Sequence, residues 1–407
     1  MRITFLCCAC LILSGCPAID RSSQGGDSGA PQGGSSGAAQ GGQPAAGGGQ
    51  ANAAGSQSAG GSGSATEVDS GEPDSGEHEA SFILGADITW VQADLAAGQT
   101  YGDGTTRDIL QILKDHGFNY IRLRTFVDPR ASDGYDQTGG YGDLSHTIAF
   151  AQKIKAAGLG FLLDFHYSDN WADPGKQCVP MAWRDFTSID EMASALHDYT
   201  REAVSALAAA GARPDMVQIG NEITPGMDIH DCNTDGTPTG TSPVNGSISN
   251  WANLGALLRA GSNAVKEVDP QIQIMLHLDR GNSYQKSHDF IVNARAQNVV
   301  FEVFGESCYT AYQGQPSGWA DTFKQLAADF PNLKLAIAEY GPEERAANDL
   351  LFALPGQQGI GSFNWEPTHT GAWNSGHALF VNDGSVNTAT ADLLLYDQMK
   401  IAYASRL

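Results

Sequence analysis

From Ser81 to the carboxyl end, short apolar runs alternate with longer stretches whose apolar residues recur at helical spacing. The runs Ile83 to Ile88, Tyr120 to Arg124, Gly160 to Phe165, Met216 to Gly220, Ile272 to His277, Phe301 to Gly305, Leu333 to Ala338 and Ile360 to Asn364 are predicted strands. Between and after them, helices are predicted over Thr105 to His116, Leu144 to Ala157, Asp190 to Ala210, Trp251 to Val268, Tyr284 to Gln297, Trp319 to Phe330, Glu343 to Leu354 and Ala389 to Ala404. Gly117, Gly158 and Gly211 stand where left-handed helix ends are expected. Strand followed by helix, eight times in about 325 residues, is the count of an α/β (β/α)8 barrel. A doubly wound open sheet would want a Gly-rich turn after the first strand, and Ile88-Thr-Trp-Val is not one. No sequence recurs with a period that would make a solenoid.

The pattern is different before Ser81. Met1-Arg2 precedes an apolar stretch from Ile3 to Leu13, too short to span a bilayer, and then Leu13-Ser-Gly-Cys16. This ending resembles the bacterial lipobox and implies acylation of Cys16 and export to an outer-membrane or cell-surface position, with plain secretion as the alternative. Residues 1–16 are therefore expected to be a lipoprotein-type signal peptide. Residues 17–80 are expected to be a flexible linker, first of Gly, Ser, Ala and Gln, then acidic through Glu67, Asp69, Glu72, Asp74, Glu77 and Glu79. Residues 81–407 remain as one barrel domain, expected to be a monomer.

Composition narrows the partners. The formal net charge of −23 repels nucleic acid and anionic lipid, leaving membrane contact to the lipid anchor. Of 7 cysteines, Cys178, Cys232 and Cys308 fall in the folded part. Cys178 and Cys232 lie in polar stretches just after two strands and are candidates for a disulfide in an oxidising compartment, whereas the apolar context of Cys308 predicts a buried thiol.

Chemistry collects where the apolar runs stop, because barrels present their working residues at the carboxyl ends of strands. Those positions hold Asp87, Arg124, His166, Asp169, Asn221, Glu222, His277, Glu306, Tyr309, Glu339, Trp365 and Glu366, with Trp171 shortly after the third strand. Acids and aromatics without a serine elbow or a metal triad suit a neutral sugar, whose hydroxyls seek charged acceptors and whose CH faces stack on rings. Glu222 and Glu339 are the best pair for proton donation and nucleophilic attack. Glu306 and Glu366 are read as supporting groups.

Several of these positions sit in longer motifs. Gly85-Ala-Asp-Ile-Thr, Ile121-Arg-Leu-Arg124, Leu163-Asp-Phe-His-Tyr-Ser-Asp-Asn-Trp-Ala-Asp-Pro-Gly175, Pro214-Asp-Met-Val-Gln-Ile-Gly-Asn-Glu222, His277-Leu-Asp279, Ala338-Glu-Tyr340 and Asn364-Trp-Glu-Pro367 together resemble glycoside hydrolase family 53, the arabinogalactan endo-β-1,4-galactanases of clan A. The resemblance implies retaining, endo-acting hydrolysis of β-1,4-galactan in plant cell walls. It makes Glu222 the acid/base, Glu339 the nucleophile and Asn221 the ligand of the 2-hydroxyl. It implies further that Arg124 and His166 hold Glu339 and the reacting sugar, that His277 and Tyr309 orient the two carboxylates, and that Trp365 floors the subsite. Gly305-Glu-Ser-Cys-Tyr-Thr-Ala-Tyr312 departs from the paired tyrosines and Trp-His-Gly usual in the family, and the segment after Glu339 moves quickly into a helix.

That departure keeps a second substrate class open, another neutral β-linked glycan such as mannan or glucan. A non-catalytic surface glycan-binding lipoprotein is the rival outside enzymology, although a binder could dispense with one carboxylate. No redox or organic cofactor is expected. Asp231-Cys-Asn-Thr-Asp-Gly236 begins like a calcium loop but has Ser242 where the closing acid belongs, so it reads as a polar turn, and calcium is allowed without being required.

Overall fold

The computed structural model describes residues 81–369, 378–382 and 384–407. The signal peptide with Cys16 and the linker expected over residues 17–80 lie outside the described residues.

Eight parallel strands close into a barrel: β1 (Ile83–Asp87), β2 (Tyr120–Thr125), β3 (Gly160–Phe165), β4 (Met216–Ile219), β5 (Gln273–Leu278), β6 (Val303–Cys308), β7 (Lys334–Tyr340) and β8 (Gly359–Trp365). Neighbours pair in sequence order and β1 joins β8, with Asp87 opposite Trp365. The outer ring contains α1 (Ile109–Asp115), α2 (Leu144–Ala156), α3 (Ile189–Ala209), α4 (Trp251–Val268), α5 (Tyr284–Ala296), α6 (Pro316–Asp329), α7 (Glu344–Phe352) and α8 (Leu394–Ala402). Helix starts are set by local chemistry. Asp108 and Asp143 accept backbone N–H groups at α1 and α2, and Ser188 with Glu191 forms a reciprocal capping box at α3. Gly158 and Gly211, with φ of 70° and 73°, close α2 and α3 in the left-handed conformation that a side chain would oppose.

Side-chain alternation along the strands builds the interior in layers. At the amino ends, Ile83, Tyr120, Leu162, Met216, Met275, Val303, Ile360 and Phe363 plug the barrel with apolar groups. Gly85 follows Ile83 on the inner face of β1, where an added Cβ would lie 2.4 Å from the Phe363 ring, so only glycine fits. At the carboxyl ends the same inner rows carry Asp87, Arg122, Arg124, Asp164, Gln218 and His277, all buried. A second, larger apolar layer lies between strands and helices.

Two small sheets were not foreseen. Thr100–Gly102 and Thr106–Arg107 pair with each other, and Thr100–Gly102 also pairs with Val386–Ala389, which meets Phe380–Asn382. The helix expected from Thr105 accordingly starts only at Ile109. The presumed polar turn at Asp231–Gly236 is the tip of a hairpin between His230–Cys232 and Pro238–Thr241. Cys178 and Cys232 are joined by a disulfide, tying the β3–α3 loop to this hairpin, and Cys308 is a buried free thiol.

Candidate active site

Arg122 is the centre of the barrel mouth. Only 1 % exposed, it reaches Asp87 on β1 at 2.7 Å, Asp164 on β3 at 2.9 Å, Asn221 Oδ1 after β4 at 2.8 Å and Glu339 on β7 at 2.9 Å. A guanidinium can serve this many acceptors because its donors form a rigid planar fork. Removing it would strand several buried carboxylates at a cost of about 3–5 kcal/mol.

Sequence reasoning had assigned the contact with Glu339 to Arg124, and the structure corrects this. Both arginines point inward from β2, but Arg124 lies one layer nearer the mouth. It binds Glu366 at 2.7 Å and Asp87 at 3.3 Å, and its guanidinium lies 4.2 Å from the Trp171 ring centroid. His166 does not hold Glu339 either. Its Nδ1 accepts the Ala172 backbone N–H at 2.9 Å and its Nε2 faces Asp164 at 3.2 Å, so both ring nitrogens are engaged by protein.

The two candidate carboxylates have different neighbours. Glu339, 6 % exposed, accepts the Tyr309 hydroxyl at 3.0 Å besides pairing with Arg122. Burial raises its pKa to about 7, against the pull of Arg122 and Tyr309. Glu222 has no ion-pair partner among the described residues; its Oε1 lies 2.6 Å from the Ser307 hydroxyl. Burial, then the charges of Glu339 and Asp279, push it well above the usual carboxylate range. Its backbone is left-handed, with φ of 47°, a strained state for a side-chain-bearing residue of the kind that collects at working sites.

His277 and Tyr309 were expected to orient the two carboxylates; Tyr309 meets Glu339, and His277 lies on the Glu222 side. Its Nε2 lies 2.9 Å from Ser307 Oγ and its Nδ1 2.9 Å from Asn221 Oδ1, so it reaches Glu222 through Ser307 and makes no hydrogen bond to Glu339. Burial and then Arg122 drive its pKa well below the imidazole value, and the ring is neutral with a single N–H. Asn221 Oδ1 also accepts Gln218 Nε2 at 3.1 Å, while its amide donates to Ala172 O at 2.9 Å and keeps a second N–H.

Trp90, Trp171 and Trp365 form an aromatic wall at the mouth, half-buried and edge-on to one another, with centroids 5.6 to 6.1 Å apart. Asp169 is not part of this site: it accepts the backbone N–H groups of Asp128 and Met181 and links two loops. Glu306 turns outward, taking the Ser287 hydroxyl of α5 and the Arg280 N–H, and burial lifts it to about 8. Glu366 secures Arg124 and the Trp90 N–H. Tyr312 stands at the rim, 73 % exposed.

Sequence reasoning missed Arg122, Gln218, Ser307 and Trp90. The signal for Arg122 and Ser307 was present in strand alternation, since each lies two residues before a residue that had been selected. No group of three or more His, Cys, Asp or Glu side chains among the described residues could hold a metal ion.

A barrel with a glutamate at the end of β4, half-buried, and another at the end of β7, buried, beside an aromatic wall, has the architecture of a glycoside hydrolase. Comparison with known proteins agrees. The sequence profile of Glycosyl hydrolase family 53 matches residues 83–350. An "Uncharacterized protein in bgaB 5'region" of Niallia circulans is 38 % identical over 61 % of this chain, which spans 64 % of that relative's length. An arabinogalactan endo-beta-1,4-galactanase of Humicola insolens is 34 % identical, covering 77 % of this chain and 94 % of its own. The GH53 catalytic domain of Ignisphaera aggregans superposes with a TM-score of 0.67 at 30 % identity, covering 78 % of this chain and 95 % of its own. The chain belongs to glycosyl hydrolase family 53.

Proposed function

We propose that the chain is a retaining endo-β-1,4-galactanase in which Glu339 attacks the anomeric carbon and Glu222 protonates the leaving oxygen. The observation that carries the role assignment is the asymmetry between the carboxylates. Glu339 has a cation and a phenol to keep it ionised, while Glu222 has neither and retains its proton. The galactanase name of the Humicola insolens relative supports the substrate.

In the first step Glu339 forms a glycosyl ester as Glu222 gives up its proton to the departing sugar. In the second, ionised Glu222 takes a proton from water, which attacks the ester and frees Glu339. Ser307 and His277 can follow both states. With Glu222 protonated, its O–H donates to Ser307, Ser307 to His277 Nε2, and Nδ1–H to Asn221. With Glu222 ionised, Ser307 donates to it, Nε2–H donates to Ser307, and Gln218 Nε2, 3.2 Å away, donates to Nδ1. The free N–H of Asn221 is available to a sugar hydroxyl, and Trp365 with Trp171 offers a face to the ring.

The test is release of reducing ends from purified β-1,4-galactan, mannan and glucan, with the anomer of the first product read by NMR. Cleavage confined to galactan, with β-product formed first, is expected. Activity on mannan or glucan alone would overturn the substrate, a possibility motivated by the unusual β6 segment ending at Tyr312, and α-product would overturn retention. Glycan binding without cleavage would favour the non-catalytic reading. We further propose that Cys16 is acylated and holds the enzyme at the cell surface. Labelling with a palmitate analogue should be lost in Cys16→Ala, and persistent labelling would refute the anchor.

A further inference from the structure

The peptide between Asn221 and Glu222 is held by a side chain that the catalytic scheme does not use. Gln177, 2 % exposed in the β3–α3 loop, donates from Nε2 to the Asn221 carbonyl at 2.9 Å and to the Asp173 carbonyl at 3.1 Å. These two bonds occupy both N–H groups of the amide.

The segment that carries Gln177 is itself fastened. Its carbonyl accepts the N–H groups of Ile229 at 2.9 Å and His230 at 3.0 Å, Val179 N–H donates to His230 O at 2.9 Å, and Cys178 is disulfide-bonded to Cys232. Gln177 therefore reaches the Asn221 carbonyl from a strap tied to the hairpin that follows Glu222 in the chain.

The need for such a hold lies in the backbone. Glu222 has φ of 47°, two residues after Gly220 at 81°. A left-handed residue that bears a side chain persists only where its surroundings over-determine it. On the carboxyl side the chain is fixed, since Ile223 N–H donates to His277 O at 2.9 Å. On the amino side the Asn221 side chain is held independently of Gln177, by Arg122, Gln218 and the Ala172 carbonyl. What remains is rotation of the peptide plane between the two residues, and the Gln177 amide grips its oxygen. Turning that plane would swing the Cα–Cβ bond of Glu222 and draw its carboxyl away from Ser307, 2.6 Å off.

We propose that Gln177 is a positioning residue for the acid/base: by holding the Asn221 carbonyl, its amide keeps Glu222 in the left-handed conformation from which the carboxyl reaches the departing oxygen. This rests on Glu222 as the proton donor, and Gln177 acts through it.

The test compares the parent, Gln177→Met, Glu222→Ala and the double variant on β-1,4-galactan and on an aryl galactoside whose phenolate leaves without a proton. Methionine keeps the volume and removes both donors, and circular dichroism with a melting curve checks folding at the assay temperature. Losing the hold should lower kcat on galactan about tenfold with KM little changed. On the aryl galactoside the loss should stay below about threefold. In the Glu222→Ala background Gln177→Met should cost nothing further. Equal slowing on both substrates, a full additional loss in the double variant, or unchanged activity on galactan would each overturn the proposal. Glu222→Ala losing equally on both substrates would instead remove the acid/base assignment, and this proposal with it. If Gln177→Met does not fold, Gln177→Asn, one methylene shorter, goes through the same comparison.

Discussion

At the end of β7, Glu339 lies against the Arg122 guanidinium and accepts the Tyr309 hydroxyl; at the end of β4, Glu222 meets the hydroxyl of Ser307 and no cation. Both are acids on one barrel rim, Glu339 buried and Glu222 half-buried, and desolvation raises both. Their neighbours separate them. A cation and a phenol favour the ionised form of Glu339, whereas the Glu339 charge itself disfavours ionisation of Glu222. Identical side chains are thus placed in opposite electrostatic settings by what is packed against them, and the proposed division of attack from proton transfer rests on that difference.

The largest break in this contrast should come from Glu339→Ala. With Glu339 as the proposed nucleophile, kcat is expected to fall at least about 10⁴-fold, whatever the leaving group. Glu222→Ala should cost about 10²–10⁴-fold on galactan, but far less on an aryl galactoside whose phenolate leaves without a proton. Steady-state rates on the two substrates check both assignments. Equal losses on both substrates for Glu222→Ala would remove it from the proton-donor role.

Tyr309→Phe sharpens the contrast from the β7 side. Losing a hydrogen bond to a charged group should cost about tenfold to a hundredfold in kcat/KM. Because Tyr309 lowers the Glu339 pKa, its loss should also move the acid limb of the pH profile upward from its position near 7. The smallest effect belongs to Ser307→Ala, a few-fold in rate. Ser307 lowers the Glu222 pKa, so its removal should carry the alkaline limb, where Glu222 gives up its proton, to higher pH. Rate profiles of the two variants should therefore shift different limbs, and a shift of the same limb in both would deny the division of roles.

Stability offers an independent check on a buried acid outside the site. Glu306 sits near 8 when folded, above its unfolded value of 4.5, so the folded state binds the extra proton. Its contribution is complete at pH below 4.5 and fades as pH rises toward 8. Denaturant unfolding across that range should show Glu306→Gln losing less stability with pH than the parent.

The sequence by itself determined the eight strands, with the sixth expected over 301–305 and found at Val303–Cys308 as the largest offset, and the rim positions of Glu222, Glu339, Tyr309 and Trp365. Those are local properties: a period of two along a strand, an apolar run that stops at a polar group, a motif of contiguous residues. The tertiary structure decided the rest. Thr100–Gly102 and Val386–Ala389 are too short to signal a sheet, and they pair across most of the barrel sequence. Arg122 and Arg124 have the same alternation and charge, and only closure of the barrel reveals that the deeper one spans to β7 while the other is taken by Glu366 and Trp171. Ser307 between His277 and Glu222 is likewise a meeting of distant segments. A strand's pattern states which way a side chain points, but what it meets there depends on other strands, so those partners emerged only from the fold.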